Sequence, residues 1–177
     1  MNKRKLYGIV GPTASGKTGA AIALARKIGG EIVSCDSMQI YKGMDILSAK
    51  PTAQECAAAP HHMISLLEPT EKCTAARFRD MANPVIEDLF ACGKQPILCG
   101  GTGLYIDAIT KPRSFALEGD EALRARLMQM DRSALHARLQ EVDPQSAARL
   151  HENDVRRVVR ALEVYILTGN TMTEIAQ

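Results

Sequence analysis

The chain has 177 residues, which is enough for one α/β domain with a small appendage. Its content of 46% hydrophobic and 24% charged residues is ordinary for a soluble globular protein. The formal net charge of +2 excludes an overall basic field that would attract nucleic acid. No apolar run is long enough to cross a membrane, and five cysteines without a C-x-x-C pair favour a reducing compartment. We therefore expect a cytoplasmic protein with no membrane partner.

The most informative stretch lies near the N-terminus and fits the phosphate-loop pattern G-x-x-x-x-G-K-[ST] at every fixed position. An apolar run at 6–10, typical of a buried strand, precedes it, and a helical pattern follows it. The glycines let backbone N–H groups turn towards an anion, Lys17 adds a charge, and the Thr18 hydroxyl can ligate a metal that bridges two phosphates. Because strand and helix both flank the loop, a plain glycine turn is disfavoured. The loop consists of Gly11, Pro12, Thr13, Ala14, Ser15, Gly16, Lys17 and Thr18.

Further elements alternate between strand and helix as far as Lys111. The first of the remaining strands ends at Asp36, and the last leads into a glycine-rich turn at 100–103. Pro84 interrupts the longest helical pattern, where it predicts a kink or a break. The remaining strands are predicted at 31–35, 62–67 and 95–99, and the helices open at the capping box 52–55 and cover 74–91 and 104–109.

After Lys111 the sequence pattern is helical, and its basic residues are mostly Arg, which binds phosphate through two parallel hydrogen bonds. Asn153 is expected to cap one of these helices. Helices are predicted at 120–130, 133–142, 143–151 and 154–167, with a fifth opening at the capping box 171–174. We accordingly divide the chain into an α/β core (1–111), a helical insertion (112–152) and a return helix of the core (153–177).

The order β-α-β-α-β-α-β predicts a parallel sheet flanked by helices, with the phosphate loop at the carboxyl ends of its strands. Asp36 and the turn at 100–103 follow other strands and should reach the same rim. The strand at 95–99 ends without a carboxylate, so Asp36 is the acid at a strand end near the loop. It can act as a general base towards an incoming nucleophile. Alternatively, it only forms a turn or caps a helix.

The stretch at 153–160 predicts a helix with two different faces. Val158 and Val159 belong to its apolar side, whereas Arg156, Arg157 and Arg160 share an arc on the other. We find no acid on the same turn within that arc. Such a face can bind a phosphate backbone, or it can be an ordinary solvated surface, and the spacing does not distinguish the two.

Two adjacent histidines, His61 and His62, stand at the entrance of the third predicted strand. The sequence around them lacks the other ligands that a zinc site needs. We therefore interpret the pair as part of a strand and not as a metal site.

Several segments in a fixed order resemble the tRNA dimethylallyltransferases, also called tRNA isopentenyltransferases. The resemblance spans nearly the whole chain and is far more specific than the phosphate loop alone. The matching segments lie at 11–18 (GPTASGKT), 36–46 (DSMQIYKGMDI), 49–51 (AKP), 60–62 (PHH), 100–105 (GGTGLY), 123–126 (LRAR) and 153–163 (NDVRRVVRALE).

This resemblance implies transfer of a dimethylallyl group from its diphosphate to N6 of an adenosine beside the tRNA anticodon. The phosphate loop would then bind the diphosphate with Mg²⁺, and Thr13 would lie where the prenyl donor binds. Asp36 would be the general base, and Thr102 would touch the substrate adenosine. The tRNA-binding residues implied by the resemblance are Asp36, Ser37, Met38, Gln39, Thr102, Arg124, Arg156, Arg157, Val158, Val159 and Arg160.

The sequence also departs from the family pattern. Leu47-Ser48 stands where the family usually has Gly-Thr, and Cys73-Thr74 replaces the common Tyr-Ser. A short connection at 130–132 predicts a reduced helical insertion. Members of the family continue well past Gln177, so we expect a chain truncated at its C-terminus, with an uncovered sheet edge. We also expect a monomer.

Three other functions remain open at this point. A nucleotide or small-molecule kinase uses the same loop for ATP. A prenyltransferase acting on free adenine nucleotides would not need tRNA. An inactive remnant would bind only diphosphate or nucleotide.

Overall fold

The computed structural model describes residues 4–46, 48–111 and 119–175. The elements alternate between strand and helix as far as the fourth helix and are helical beyond it. The strands are β1 (Tyr7–Val10), β2 (Gly30–Ser34), β3 (His61–His62) and β4 (Gln95–Gly100). The helices are α1 (Lys17–Ile28), α2 (Ala53–Ala58), α3 (Ala75–Ala91), α4 (Gly103–Thr110), α5 (Glu121–Met128), α6 (Arg132–Val142), α7 (Pro144–Arg149), α8 (Val155–Thr168) and α9 (Met172–Ile175).

The four strands form one parallel sheet in the order β1-β4-β2-β3, which confirms the predicted fold class. Because strands β1 and β2 are both paired with β4, their carboxyl ends lie at one rim. The phosphate loop follows β1 and Asp36 follows β2 at that rim. The fold therefore brings together the features that the sequence places at strand ends.

The sequence prediction was wrong about the length of the third strand. The strand β3 has two residues and not the six expected at 62–67. Met63 and Ser65 adopt left-handed backbone conformations, with φ of 63° and 53°, which a strand cannot contain. Leu67 instead forms an isolated bridge with Tyr41, so the apolar run contacts the loop after β2.

The first strand also differs from its prediction as a buried strand. In the described sheet β1 is an edge strand that pairs with β4 alone. Its residues alternate in exposure, and Val10 is 61% exposed while Tyr7 and Ile9 pack against the core beneath α1. An edge position leaves one side of the strand without a neighbour, which a purely apolar sequence does not reveal.

Helix ends follow the local chemistry in most places. Both predicted capping boxes form, at Thr52 with Glu55 and at Thr171 with Glu174. The cap of α8 is Asp154 and not Asn153. The helix α3 continues through Pro84 without a break, because its apolar face is buried on both sides of the proline.

The chain divides into two compact units, Met1–Pro112 and Arg113–Gln177. The sheet and its flanking helices belong to the first unit. In the second unit α8 packs on α5 and α6 around a cluster of leucines and valines. Residues 153–177 thus belong to the helical unit, whereas the sequence interpretation assigned them to the α/β core. None of the described helices is both long and apolar enough to traverse a bilayer.

One close backbone approach sets the geometry of the rim. A Cβ atom added to Gly100 would lie 2.2 Å from the carbonyl oxygen of Cys35. The Cys35 N–H donates to the Cys99 carbonyl at 2.8 Å, and the Thr102 N–H donates to the Cys35 carbonyl at 3.2 Å. Only glycine allows β4 to pass this close to the end of β2.

We expect Gly100→Ala to lower the free energy of unfolding by about 1–3 kcal/mol, because the methyl group would clash with backbone that cannot move independently. Urea unfolding monitored by circular dichroism measures this change. Gly103→Ala is the matched control, because nothing lies within 4 Å of its added Cβ. Equal stability of the two variants would contradict the role given to Gly100.

Candidate active site

A cavity of about 380 Å³ lies in the first unit and joins the phosphate loop to Asp36. It is bounded by the loop, by the ends of β2 and β4, and by the chain around α2. Its other walls bring in residues that are far apart in sequence. The lining residues are Thr13, Ala14, Ser15, Gly16, Lys17, Thr18, Gly19, Ile32, Ser34, Asp36, Gln39, Ser48, Ala49, Lys50, Pro51, Glu55, His61, Cys99 and Gly100.

The phosphate loop has the backbone shape of an anion-binding turn. Ala14 and Gly16 both have positive φ, 63° and 79°, which turns successive N–H groups the same way. A Cβ on Gly11 would lie 3.1 Å from the Ser15 hydroxyl, so the loop is closed tightly at its base. Gly16 caps α1 without a side-chain acceptor, and the first-turn amides remain available to an anion. The Lys17 ammonium donates to the Pro12 carbonyl across the loop.

Asp36 has the turn-forming role, one of the two roles that the sequence left open. Its Oδ1 accepts hydrogen bonds from the N–H groups of Met38, at 2.8 Å, and Gln39, at 3.3 Å, so it forms the turn that follows β2. Its Oδ2 accepts no hydrogen bond from the residues that the structure describes. One oxygen thus fixes the carboxylate, and Asp36 is one of the residues that line the cavity.

Thr102 connects the glycine turn with the segment after Asp36. Its Oγ1 accepts a hydrogen bond from the Ser37 N–H at 3.0 Å, although Thr102 does not cap its own helix α4 through its side chain. Thr102 and Ser37 are both half-buried, whereas Met38 is 45% exposed. Thr102, which the resemblance assigns to the adenosine, and Ser37, which it assigns to tRNA, are therefore neighbours in space.

The side chain of Gln39 connects two segments of the site through hydrogen bonds. Its Nε2 donates to the carbonyls of Ser48 and Ala49, at 3.2 and 3.1 Å, and its Oε1 accepts from the Ser34 hydroxyl at 2.8 Å. These bonds hold the segment 48–51 against the end of β2. Among the three residues at 37–39, only Met38 presents a largely exposed side chain.

The departures from the family pattern are accommodated locally. Ser48 is buried and donates to the Met44 carbonyl, while Leu47 lies outside the described residues. The backbone of Cys73 is bound by two phenols, since its N–H donates to Tyr41 and the Tyr105 hydroxyl donates to its carbonyl. Because these contacts use only backbone atoms of residue 73, they do not depend on its side chain.

Sequence reasoning missed most of the cavity residues outside the phosphate loop. Two of them, Lys50 and His61, have polar groups that are buried against neighbouring segments. Lys50 has a side chain only 6% exposed, and its ammonium donates to the Tyr41 carbonyl, Asp45 and Ser65 at 2.5–2.9 Å. It ties three loop segments together beside the cavity. No local pattern predicts this, because its partners meet only in the folded chain.

His61 is the second of these two residues. Its Nδ1 lies 2.8 Å from the Ala59 carbonyl, so this nitrogen must carry the proton, and Nε2 is buried without a partner among the described residues. Burial lowers the pKa of His61, while the Ala59 carbonyl and Glu55 oppose the shift and His62 adds to it. The histidine is therefore neutral and offers an acceptor in the cavity wall.

No group of three or more His, Cys, Asp or Glu side chains suited to a metal occurs in the described ranges. The hard oxygen donors at the cavity include the Thr18 hydroxyl and the carboxylates of Asp36 and Glu55. These suit a cation such as Mg²⁺ only if a bound ligand supplies further oxygen atoms.

Two arginines of the predicted arc on α8 have acidic partners, so the prediction of an arc without acids was wrong. Arg157 pairs with Asp154 at 3.1 Å, and Arg160 pairs with Glu163 at 2.7 Å. Both acids are three residues away along the helix, where side chains of neighbouring turns meet. Arg156 is exposed.

The two valines of the same segment lie in the core of the second unit. Val158 and Val159 are each 1% exposed, as the apolar side of the helical wheel predicts. Their side chains lie on the buried face of α8 and cannot touch an RNA at the surface. Any contact made by this segment must come from its arginines.

The chain matches two family models, IPP transferase over residues 39–177 and isopentenyl transferase over residues 4–70. It is 46% identical to a tRNA dimethylallyltransferase of Hydrogenovibrio crunogenus, over 99% of this chain and 55% of that protein. It is 50% identical to a tRNA dimethylallyltransferase of Anaeromyxobacter dehalogenans, over 98% of this chain and 59% of that protein. The chain thus spans little more than half the length of these curated relatives.

Solved structures give the same grouping. The full-length tRNA isopentenylpyrophosphate transferase of Bacillus halodurans superposes with a TM-score of 0.63 and 45% identity, over 95% of this chain and 57% of that one. A eukaryotic dimethylallyltransferase acting on tRNA superposes with a TM-score of 0.79 and 34% identity, over 96% of this chain and 44% of that one. Both similarities extend over the two units of the present chain.

We expect His61 to make folding stability depend on pH. Burial lowers its pKa from 6.5, so the unfolded chain takes up a proton before the folded chain does. The stabilisation is complete above about pH 6.5 and is lost as the pH falls below it. His61→Gln should therefore flatten the dependence of unfolding free energy on pH between about pH 5 and about pH 7.

His62→Gln is the matched control, because His62 pairs with Glu31 at the strand edge and does not line the cavity. Urea unfolding across this pH range measures both variants. An unchanged slope in His61→Gln would contradict the assignment of a buried neutral imidazole.

Proposed function

We propose a function from the premise that the chain belongs to the IPP transferase family. It transfers a dimethylallyl group from dimethylallyl diphosphate to N6 of the adenosine beside the tRNA anticodon. The observation that carries this proposal is the cavity that joins the phosphate loop to Asp36. Relatives that share both units of the chain are named for this transfer.

The loop binds the diphosphate of the prenyl donor. The loop amides and the N-terminus of α1 contribute partial positive charge, and Thr13 lies in the cavity wall beside them. The Lys17 ammonium exchanges its bond to the Pro12 carbonyl for a stronger one to a phosphate oxygen. The same groups stabilise the charge that develops on the departing pyrophosphate.

Magnesium fits this site through hard oxygen ligands. Thr18 would hold it together with diphosphate oxygens, since the described side chains offer no complete metal site of their own. When bound, the metal neutralises charge on the leaving group. Groups of the protein bind the diphosphate and take up the proton of the amine.

Asp36 acts on the nucleophile. The N6 nitrogen forms a bond to C1 of the prenyl group, the bond from C1 to the diphosphate oxygen breaks, and the amine proton passes to Oδ2 of Asp36. The hydrogen bonds from Met38 and Gln39 to Oδ1 hold the carboxylate in one orientation throughout. A base buried in an anticodon stack cannot reach a cavity at a sheet rim, so the adenosine must leave its stack.

The tRNA contacts involve both units. In the first unit, Ser37, Met38, Gln39 and Thr102 surround Asp36, with Thr102 nearest the adenosine. In the second unit, Arg124, Arg156, Arg157 and Arg160 supply positive charge for the phosphate backbone. We place this activity in the cytoplasm, where the five free cysteines stay reduced, and assign it to a monomer.

We expect Asp36→Asn to reduce prenyl transfer by about 10²–10⁴-fold while it leaves pyrophosphate affinity within about twofold. An amide oxygen keeps the turn at 36–39 but cannot take the proton. Transfer is measured as N6-prenyl adenosine by mass spectrometry, and pyrophosphate binding by calorimetry. Asp80→Asn, an exposed acid of α3 outside the cavity, is the control.

Substrates separate the competing functions in the same assay. Modified tRNA supports the proposal, whereas transfer to AMP but not to tRNA identifies an enzyme of free nucleotides. Phosphoryl transfer from ATP identifies a kinase. If pyrophosphate binds and no product forms with any acceptor, the chain is a binding remnant. Loss of pyrophosphate binding in Asp36→Asn would make Asp36 a metal or structural residue.

We expect Arg157→Ala to weaken tRNA binding several-fold and to reduce the salt dependence of binding by about one unit of slope, as one lost phosphate contact does. The side chain of Arg157 is 76% exposed, so its removal should not disturb the core. Arg26→Ala, an exposed arginine in the last turn of α1, is the control. An unchanged slope would make the arginine face of α8 an ordinary solvated surface.

A further inference from the structure

Glu163 is a carboxylate buried in the second unit, outside the catalytic cavity. Its side chain is 0% exposed. Both of its oxygens accept from Nη2 of Arg124 at 3.0 Å, and Oε2 also accepts from Nη1 of Arg160 at 2.7 Å. A single acid therefore binds arginines from two different helices, α5 and α8.

The backbone closes tightly over this group. A Cβ added to Gly119 would lie 2.1 Å from Nη2 of Arg124 and 2.9 Å from Oε1 of Glu163. Burial alone would raise the pKa of Glu163, but the hydrogen bonds from Arg160 and Arg124 outweigh it and hold the pKa below its ordinary value. The acid is therefore charged, and its arginine partners hold it in one place.

Stability alone does not account for this arrangement. Taking a carboxylate out of water is costly, and an apolar residue of similar volume often stabilises a core as well or better. The flanking residues on α8 are apolar and buried, so the position could have been apolar too. We therefore look for the role of Glu163 in the two arginines that it binds and not in the stability of the core.

The two arginines keep part of their surface in solvent. Their side chains are 44% exposed for Arg124 and 34% exposed for Arg160. Two guanidinium groups thus share one carboxylate. Arg160 also lines a groove of about 430 Å³ together with Arg149 and Arg157.

We propose that Glu163 is a positioning residue that holds Arg124 and Arg160 in a fixed pair which binds a phosphate group. Ordering these long side chains before binding removes an entropy cost that free arginines would meet on binding. This inference rests on the proposed function, because both a tRNA backbone and a prenyl diphosphate present phosphate groups. The experiment must therefore separate these two sources.

Glu163→Gln distinguishes positioning from simple charge, because the two predict opposite results. The variant makes the local charge more positive by one unit, which would strengthen phosphate binding if charge alone mattered. If Glu163 positions the arginines, binding weakens instead, because a neutral amide offers one weaker acceptor in place of two charged oxygens. Glu141→Gln, an exposed acid of α6, makes the same change in net charge and is the control.

Binding is measured with the intact chain for two probes, an unmodified tRNA and inorganic pyrophosphate. We expect Glu163→Gln to bind one of them roughly tenfold more weakly, as the loss of an ordered charged contact would. Weakening confined to tRNA identifies the RNA backbone as the source, and weakening confined to pyrophosphate identifies the prenyl donor. Equal or tighter binding of both by a folded Glu163→Gln variant overturns the proposal.

A second variant keeps the test decisive if Glu163→Gln does not fold. Arg124→Lys preserves the charge, but its single nitrogen cannot bind Glu163 and also offer a second nitrogen to a phosphate, so it should weaken the same probe. Binding at wild-type strength by Arg124→Lys overturns the proposal. If the wild type transfers the prenyl group and the variants bind both probes normally, the positioning role of Glu163 is wrong and the proposed function stands. If the variants bind a probe more weakly but the wild type transfers no prenyl group, the proposed function is wrong and the positioning role of Glu163 stands.

Discussion

The close approach of the Gly100 backbone to Cys35 is the constraint on which the rest of the first unit depends. It brings the ends of β2 and β4 so near that the Thr102 amide reaches the Cys35 carbonyl and the Thr102 hydroxyl reaches the Ser37 amide. Asp36 lies between these contacts and has little freedom of position. The position of the candidate base thus depends on a glycine that is distant from it in the sequence.

The charges of the cavity are divided between its two ends. Lys17 and the loop amides are positive, and Asp36 is negative. Cys99 lies between them, and its thiol pKa is raised mainly by burial, lowered by Lys17 and raised by Asp36. Burial also raises the pKa of Cys35 to about 12. Both thiols are thus protonated and packed as small apolar groups.

The second unit treats charge differently. Its helices bury apolar residues, and two acids, Asp143 and Glu163, are buried among them. Glu163 forms ion pairs with two arginines. The predicted arc of arginines on α8 turned out to contain paired groups, because acids three residues away reach them. Pairing restricts the arginines without removing them from solvent. Arg157 and Arg160 of this surface are therefore held in ion pairs and are not independent cations.

Much of this protein follows from the sequence by itself. The spacing of Gly11, Gly16, Lys17 and Thr18 determines the anion-binding loop, because the backbone conformation and the helix start depend on residues that are close in the chain. The alternation of apolar runs and helical patterns determined the parallel sheet, and local capping residues determined most helix ends. Family motifs supplied the identity of the candidate base.

Only the tertiary structure decided which groups share an environment. That β1 is an edge strand, that β3 is short, and that Lys50, His61 and Glu163 are buried depends on neighbours distant in sequence. The assignment of α8 to the helical unit likewise depends on which apolar faces meet. Propensity and periodicity act over a few residues, whereas burial and charge pairing are properties of the folded chain.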